Sequence, residues 1–170
     1  MKSILLNHTQ IENKIVRLSH QILENNFDEK HLFFVGLNVR GNMLCSKIVS
    51  ILKPLFDGEI EYIKLSSKRN TNKEIEISDI DIFSSRSLDN KSVIVFDDVV
   101  DSGQTLMYAV SYLTSFNPNK IQTVALIDRN HRKFPIKVDY VGLQVATTLH
   151  ENVVVEFDES NPENICAFLQ

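Results

Sequence analysis

Short apolar runs recur along the chain, and each is followed by a segment with helical periodicity. The clearest runs are 32–37 (LFFVGL), 93–96 (VIVF) and 121–127 (IQTVALI). They are too short for helices and contain many β-branched or aromatic residues, which is typical of strands buried on both faces of a parallel sheet. We therefore predict three central strands, with helices covering the sheet between them.

The segments with helical spacing are amphipathic. Apolar residues recur every three or four positions in 9–26, 43–52 and 105–113, which predicts three helices. A capping box of Thr9 and Glu12 is expected to begin the first helix, and the second should stop before Pro54. Their apolar faces comprise Ile11, Ile15, Leu18 and Ile22, then Met43, Leu44, Ile48, Ile51 and Leu52, then Leu106, Ala109, Val110 and Leu113.

The remaining patterns are weaker. Residues 59–65 alternate and predict a strand, while the polar stretch SSKRNTNKE, residues 66–74, is predicted to be a mobile loop. Residues 74–82 are interpreted as the returning half of a β-ribbon, and 153–157 and 165–169 as short apolar elements. Strands that alternate with helices predict an α/β fold with a doubly wound, mainly parallel sheet, which binds ligands at the carboxyl ends of its strands.

Composition restricts the class of protein. The 170 residues predict a single domain, 1–170, and the net charge of −4 with a pI near 5.7 argues against a general affinity for nucleic acid. No segment is long and apolar enough to span a bilayer, so we expect a cytoplasmic protein without membrane contact. The two cysteines, Cys45 and Cys166, lack the spacing of metal ligands and are expected to be buried free thiols.

Two carboxylates and a hydroxyl-rich turn follow the middle apolar run. Asp97 and Asp98 come first, and Ser102, Gly103 and Thr105 then open the next helix. Unpaired N–H groups at a helix N-terminus bind phosphate, and glycine lets the backbone approach it closely. The acids would repel that phosphate, so we expect them to face sugar hydroxyls or Mg²⁺. An ordinary capped turn would explain the hydroxyl residues but not the acids.

A second junction of strand and helix follows the first apolar run. There the chain reads Asn38-Val39-Arg40-Gly41. Arg40 is a candidate for binding an anion, with an ordinary exposed arginine as the alternative. The patterns GxxxxGK[ST] and GxGxxG are absent from the sequence, so a P-loop or dinucleotide-binding protein is not expected.

The stretch 93–105, VIVFDDVVDSGQT, resembles the 5-phosphoribosyl-1-pyrophosphate (PRPP) signature of type I phosphoribosyltransferases. The string GLNVRG, residues 36–41, is similar to the loop that binds pyrophosphate in that family. The resemblance implies the type I phosphoribosyltransferase fold with flanking helices and a small hood. It also implies Mg²⁺ as cofactor and transfer of the phosphoribosyl group of PRPP to a nucleobase, which yields a nucleoside 5′-monophosphate and pyrophosphate.

Site roles follow from the same resemblance. Asp97 and Asp98 would hold the ribose hydroxyls and, through those hydroxyls or water, Mg²⁺, and Asp101 or the ionisation of the base itself would handle the proton. Arg40, with Asn38 and Gly41 beside it, would bind pyrophosphate. The 5′-phosphate site would comprise Val99, Val100, Asp101, Ser102, Gly103, Gln104 and Thr105.

The resemblance also implies a flexible lid over about residues 66–78, which closes over the substrate. Its basic side chains could reach the pyrophosphate or simply keep an exposed loop in solution. They are Lys68, Arg69 and Lys73.

Residues 128–142, DRNHRKFPIKVDYVG, and 153–159, VVVEFDE, are similar to the PyrR group of uracil phosphoribosyltransferases and pyrimidine-operon attenuation regulators. This similarity implies uracil as the base. Asp101 stands where PyrR proteins usually carry an aromatic residue and is typical of hypoxanthine-guanine phosphoribosyltransferases, so a purine is the alternative. The basic residues of the first segment could belong to the base pocket, a subunit contact or a surface turn; they are Arg129, His131 and Arg132.

Two further expectations concern partners. The family resemblance implies a homodimer or a larger homo-oligomer. Some PyrR proteins regulate genes by binding messenger RNA through a basic face. In this chain five acids and no Lys or Arg occur from Glu151 onward, so catalysis is the favoured interpretation and an RNA-binding regulator is the rival.

Overall fold

The computed structural model describes residues 3–69, 75–77, 87–146, 148, 151–157 and 164–170. Strands and helices alternate along the first three quarters of the chain, and short strands follow. In chain order the elements are β1 (Ser3–Leu6), α1 (His8–Glu24), β2 (His31–Leu37), α2 (Asn38–Leu52), β3 (Glu59–Leu65), β4 (Ser67–Arg69), β5 (Ile75–Ile77), β6 (Ser92–Val100), α3 (Gln104–Thr114), β7 (Lys120–Asp128), β8 (Tyr140–Gln144), β9 (Val153–Phe157) and β10 (Ile165–Leu169).

The main sheet has five parallel strands in the order β3-β2-β6-β7-β8. Its three central strands, β2, β6 and β7, are those that the apolar runs predict. Because all five strands run the same way, their carboxyl ends lie at one edge of the sheet, and the acidic pair and the strand-to-helix junctions meet there.

Helices cover both faces of this sheet. Phe34 and Phe96 point to the face that α1 and α2 cover, with their rings 5.0 Å apart. Phe33 and Val35 point to the opposite face, where they pack in one cluster with Leu106 of α3. Successive strand residues point to opposite faces, so burial on both sides explains the unbroken apolar run. The predicted α/β doubly wound fold is confirmed.

A second, antiparallel sheet forms the small hood, with the order β1-β10-β9. Val155 and Ala167 of this sheet are buried in the same cluster as the face of α1. The sequence analysis anticipated β9 and β10 but not β1, because four residues at the chain start carry too little pattern. The hood therefore joins the two ends of the described chain.

Three predicted boundaries are wrong. Asn7 caps α1, since its side chain accepts from the backbone N–H of Gln10 and the Gln10 side chain accepts from Asn7, so the box of Thr9 and Glu12 does not form. α2 begins directly after β2, so residues 38–41 are its first turn and not a loop. β6 continues to Val100, which places the acidic pair inside the strand.

The segment predicted to be a lid is partly regular. β4 and β5 pair antiparallel, with Ser67 opposite Ile77, which confirms the β-ribbon for these residues. Residues 67–69, predicted to belong to a mobile loop, therefore form a strand instead. The rest of the predicted loop and ribbon, residues 70–74 and 78–82, lies outside the described residues, and Lys73 lies there too.

Candidate functional site

The acidic pair lies at the carboxyl end of β6, the middle strand of the main sheet. Asp97 is 9% exposed, and its Oδ1 accepts a hydrogen bond from the backbone N–H of Asp98 at 3.0 Å. Asp98 faces the start of α2, where Arg40 Nη1 lies 4.0 Å from its Oδ2. One carboxylate is thus enclosed, and the other has a loose cationic neighbour.

Burial dominates the electrostatics of this pair. It raises the pKa of Asp97 well above the usual range, and the adjacent charge of Asp98 raises that pKa further. Burial also raises the pKa of Asp98, although the Arg40 guanidinium acts in the opposite sense. Both carboxylates therefore gain when a hydrogen-bond donor or a cation reaches them, which is what sugar hydroxyls or a metal ion would supply.

The turn after β6 leads directly into α3. Gly103 is the N-cap of α3, with φ +79, a left-handed conformation that favours glycine. Gly103 has no side chain to cap the helix, so the N–H groups of the first turn beyond Gln104 are left to face a ligand. Ser102 Oγ accepts only a long hydrogen bond of 3.3 Å, from the N–H of Gln104. This is the geometry that anion binding at a helix N-terminus requires.

A cavity of about 200 Å³ opens at this turn. It brings together one residue of the acidic pair and all the residues of the predicted 5′-phosphate site. Its lining comprises Asp97, Val99, Val100, Asp101, Ser102, Gly103, Gln104, Thr105 and Leu106. Val100 and Leu106 are buried in the core beneath it, so the floor is fixed by packing and the open side is polar.

The segment after β7 holds this turn in place. Arg132 donates to the carbonyl oxygens of Asp101 at 2.8 Å and Ile136 at 3.1 Å, and its Nη2 lies 2.7 Å from Asp128 Oδ2. The backbone N–H groups of residues 133 and 134 both donate to the Ser102 carbonyl oxygen. The Arg132 guanidinium is therefore engaged with protein acceptors, and it braces the cavity from behind.

Arg129 and His131 lie beside the Asp101 side chain. Arg129 is 5% exposed; its Nη1 lies 3.5 Å from Asp101 Oδ1, and it also donates to the carbonyl oxygen of Glu151. His131 Nδ1 lies 3.6 Å from the same oxygen of Asp101. Of the three basic residues singled out in this segment, two thus meet Asp101 and the third meets its backbone.

The second predicted anion site occupies the first turn of α2. Asn38 has φ +54, and its Oδ1 accepts from the backbone N–H of Ser67 at 2.8 Å. A Cβ on Gly41 would lie 2.5 Å from the Phe96 carbonyl oxygen, so this glycine lets α2 approach β6 beside the acids. Arg40 is half exposed. Asn38, Arg40 and Gly41 therefore lie together near the pair.

The β4–β5 hairpin starts from this same corner through the bond between Asn38 and Ser67. Lys68 is exposed. The Arg69 side chain, like Lys73, is outside the described part of the structure. Sequence reasoning missed Ser67, which carries no motif, and Asp128, whose spacing of four residues from Arg132 at a strand end was an available signal.

Among the described residues, the acidic pair is the candidate for contact with a metal ion. No group of three or more His, Cys, Asp or Glu side chains that could hold a metal occurs within the described ranges. Asp97 and Asp98 supply hard oxygen ligands, which suit Mg²⁺, an ion that usually keeps water and substrate oxygens around it. The donor set therefore fits a magnesium ion held mainly by its substrate. Cys45 and Cys166 are free thiols, as expected; Cys45 is buried, whereas Cys166 is partly exposed, so the prediction that both are buried is wrong for Cys166.

Comparisons with known proteins agree with this geometry. The family model described as phosphoribosyl transferase domain matches residues 1–160. The Bifunctional protein PyrR of Clostridium novyi (strain NT) is 30% identical, with 96% of this chain and 94% of that protein covered. The Bifunctional protein PyrR of Bacillus subtilis (strain 168) is 29% identical, with 99% and 97% covered.

Solved structures share the fold. A hypoxanthine phosphoribosyltransferase from Staphylococcus aureus aligns with a TM-score of 0.77 and 25% identity, covering 96% of this chain and 90% of that chain. The hypoxanthine phosphoribosyltransferase of Trypanosoma cruzi aligns with a TM-score of 0.74 at 17% identity, covering 97% and 95%. Within the described residues, no helix has both the length and the apolar character needed to cross a membrane.

Proposed function

This chain belongs to the phosphoribosyltransferase domain family, and from that premise we propose that it transfers the 5-phosphoribosyl group of PRPP to a nucleobase, uracil being the favoured acceptor. The observation that carries the proposal is the acidic pair next to the N-terminus of α3: Asp97 is buried, and it lines the same cavity as the first turn of that helix. A phosphate at the helix and ribose hydroxyls at the acids would satisfy both sets of groups at once.

The reaction would be attack by a ring nitrogen of the base on C1 of PRPP, with loss of pyrophosphate. Positive charge develops on the ribose and negative charge on the leaving group, so the protein contributes electrostatics and positioning. Asp97 and Asp98 hold the ribose hydroxyls next to the positive centre. The turn 101–105 anchors the 5′-phosphate, and Arg40 binds the pyrophosphate, with Asn38 and Gly41 shaping its site.

Mg²⁺, when bound with PRPP, would neutralise charge on the leaving pyrophosphate. Asp97 and Asp98 would hold that ion indirectly, through the ribose hydroxyls or water. Lys68 and Arg69 belong to the proposal as lid residues that reach the pyrophosphate. The proposal for Lys68 rests on its exposure at the hairpin that Asn38 anchors.

Two kinds of base are candidates for the acceptor, uracil and a purine. The similarity of residues 128–142 to the PyrR group favours uracil. Asp101 favours a purine, since it is the residue typical of hypoxanthine-guanine enzymes, and the Staphylococcus aureus relative is a hypoxanthine phosphoribosyltransferase. We place Arg129 and Arg132 at the base side of the site, Arg129 through the Asp101 carboxylate and Arg132 through the Asp101 backbone.

A regulator that binds RNA is less well supported. The net charge is −4, and phosphate binding needs free cationic side chains. Arg132 is engaged with acceptors of its own chain, and Arg129 contacts Asp101 and Glu151. These two arginines are therefore poor candidates for an RNA-binding face.

The proposal also covers the domain organisation, the cellular location and the oligomeric state. We infer a single domain over 1–170 in the cytoplasm, where free thiols such as Cys45 and Cys166 are stable. We also infer a homodimer or larger homo-oligomer, which the position of β3 at an edge of the main sheet and its half-exposed Tyr62 support. Light scattering on the protein as it elutes from a size-exclusion column measures the oligomeric state.

The test is pyrophosphate release from PRPP and Mg²⁺ with uracil, hypoxanthine, guanine or orotate added one at a time. We expect turnover with uracil, and the Asp97→Asn, Asp98→Asn double variant should reduce it at least about a hundredfold. The matched control is Asp28→Asn with Asp57→Asn, the same change of charge at two exposed positions next to the amino ends of β2 and β3.

The outcomes separate the candidates. Release with hypoxanthine or guanine but not uracil would assign the enzyme to purines. Full activity in the variant of the acidic pair would remove those carboxylates from the mechanism. No release with any base, together with tight and salt-sensitive RNA binding, would favour the regulator.

A further inference from the structure

Two nitrogen-bearing side chains approach one oxygen of Asp101. Arg129 Nη1 lies 3.5 Å and His131 Nδ1 3.6 Å from Oδ1. The Asp101 side chain is 50% exposed and lines the cavity, while that of His131 is 27% exposed. The carboxylate thus connects the cavity to a histidine with access to solvent.

Support of the turn does not require this histidine. Arg132 and two backbone N–H groups already hold residues 101 and 102, and Arg129 already places a permanent positive charge beside Asp101. A histidine differs from an arginine in one respect that matters here: it gains and loses a proton near neutral pH. Its presence at this point therefore suits proton transfer.

We propose that His131 receives the proton that Asp101 takes from the nucleobase and passes it to solvent, an inference that rests on the proposed transferase activity. As the ring nitrogen forms its bond to C1, the C1–oxygen bond breaks and its electron pair leaves with pyrophosphate. The N–H proton of the base moves to the Asp101 carboxylate, and from there to Nδ1 of neutral His131. The imidazolium then releases its Nε2 proton to water, and exchange of the ring protons with solvent returns the proton from Nδ1 to Nε2, which restores both groups.

Other charged groups at this corner limit what can titrate. Asp128 at the end of β7 pairs with Arg132 at 2.7 Å, and both arginines keep their charge throughout the working range of pH. Hydrogen bonds from the Thr148 backbone and hydroxyl hold the pKa of Glu151 below its usual value. Within the described part of this cluster, His131 is therefore the candidate for accepting the proton from Asp101.

The test compares His131→Gln with His31→Gln. The glutamine side chain introduced by the first substitution would be able to hydrogen-bond to Asp101 but not to carry a proton. His31 is the matched control, because it also faces a carboxylate, Glu59 at 3.2 Å, but lies at the amino end of β2. We expect His131→Gln to lower kcat about tenfold to a hundredfold near neutral pH, to flatten the acid limb of kcat against pH, and to leave KM for PRPP unchanged.

A second variant guards against a folding defect. In His131→Ala, added imidazole should restore turnover in proportion to its neutral form, because the position is partly open to solvent. A rise in KM with unchanged kcat and an unaltered pH profile would mean that His131 only supports the turn, and would overturn the relay. If the unaltered protein releases no pyrophosphate with any base, the transferase proposal fails first and the relay with it; normal turnover with no effect in either variant overturns the relay alone.

Discussion

Asp97→Asn should make the protein more stable and inactive at the same time. Burial and the adjacent Asp98 charge disfavour ionised Asp97, so its pKa is raised in the fold. Asparagine has nearly the same shape as aspartate. Its side-chain oxygen can accept the hydrogen bond that Asp97 Oδ1 accepts from the Asp98 N–H, at 3.0 Å in this structure. The substitution therefore removes the cost of a buried charge without opening a cavity.

The direction of the pH dependence follows from linkage. Between the unfolded pKa, near 3.8, and the raised folded pKa, the native state binds more protons than the unfolded state, so stability falls as pH rises. The asparagine side chain does not titrate, so the variant lacks this loss. The variant should match the unaltered protein near the bottom of that window and exceed it increasingly as pH rises, until pH passes the folded pKa of Asp97.

The free energy of unfolding should rise by about 0.5–2 kcal/mol at neutral pH, the usual gain from a single stabilising substitution. For a chain of this length about 1 kcal/mol corresponds to a shift of roughly 2–4 °C in Tm. Thermal unfolding at several pH values measures the gain. The same unfolding experiment with PRPP and Mg²⁺ added measures whether the protein still binds its substrate. PRPP at about 100 times its Kd should stabilise the unaltered protein by about 2.7 kcal/mol and the variant much less. A variant that melts below the unaltered protein at high pH would refute the reasoning.

Two other predictions concern the turn and its support. Arg132→Gln should cost about 3 kcal/mol, because it leaves Asp128 buried without its cation; urea unfolding measures this, and Lys137→Gln at an exposed position should change stability by less than about 0.5 kcal/mol. Gly103→Ala should cost about 1–2 kcal/mol and weaken PRPP binding, since φ is +79 and a Cβ would lie 2.5 Å from Ile136 Cγ2; calorimetric PRPP affinity equal to that of the unaltered protein would contradict the proposed role of this turn.

The fold was predictable wherever burial leaves a pattern. Apolar runs identified β2, β6 and β7, since a parallel strand is covered on both faces. The ends of the strands were harder to predict, because polar residues can continue a strand. The sequence suggested that the strand stops before Asp97, whereas β6 carries both acids and ends at Val100. Pairing with β7 up to Asp128 extends it, and that long-range contact has no local signature.

The residues of the candidate site were predictable as a set, but the contacts between them were not. The signature located the turn and the acids, and the cavity lining matches it closely. The partners of Asp101 come from a segment almost thirty residues later, and only the sheet order brings them together. The bond from Asn38 to Ser67 is similar, because it joins α2 to the hairpin through residues that no motif connects.

The distribution of positive charge supports the proposed role of Arg40. Arg132 is paired with Asp128 at 2.7 Å, and Arg129 is buried against Asp101, so neither can turn towards a pyrophosphate without leaving a carboxylate unpaired. Arg40 is half exposed and lies 4.0 Å from Asp98, at the outer limit of an ion-pair distance, so this contact is loose. Arg40 could therefore leave Asp98 and bind an incoming anion at little energetic cost, while the ribose hydroxyls hydrogen-bond to Asp98 in its place. Exchange of partners at this one residue would then link binding of the leaving group to binding of the sugar.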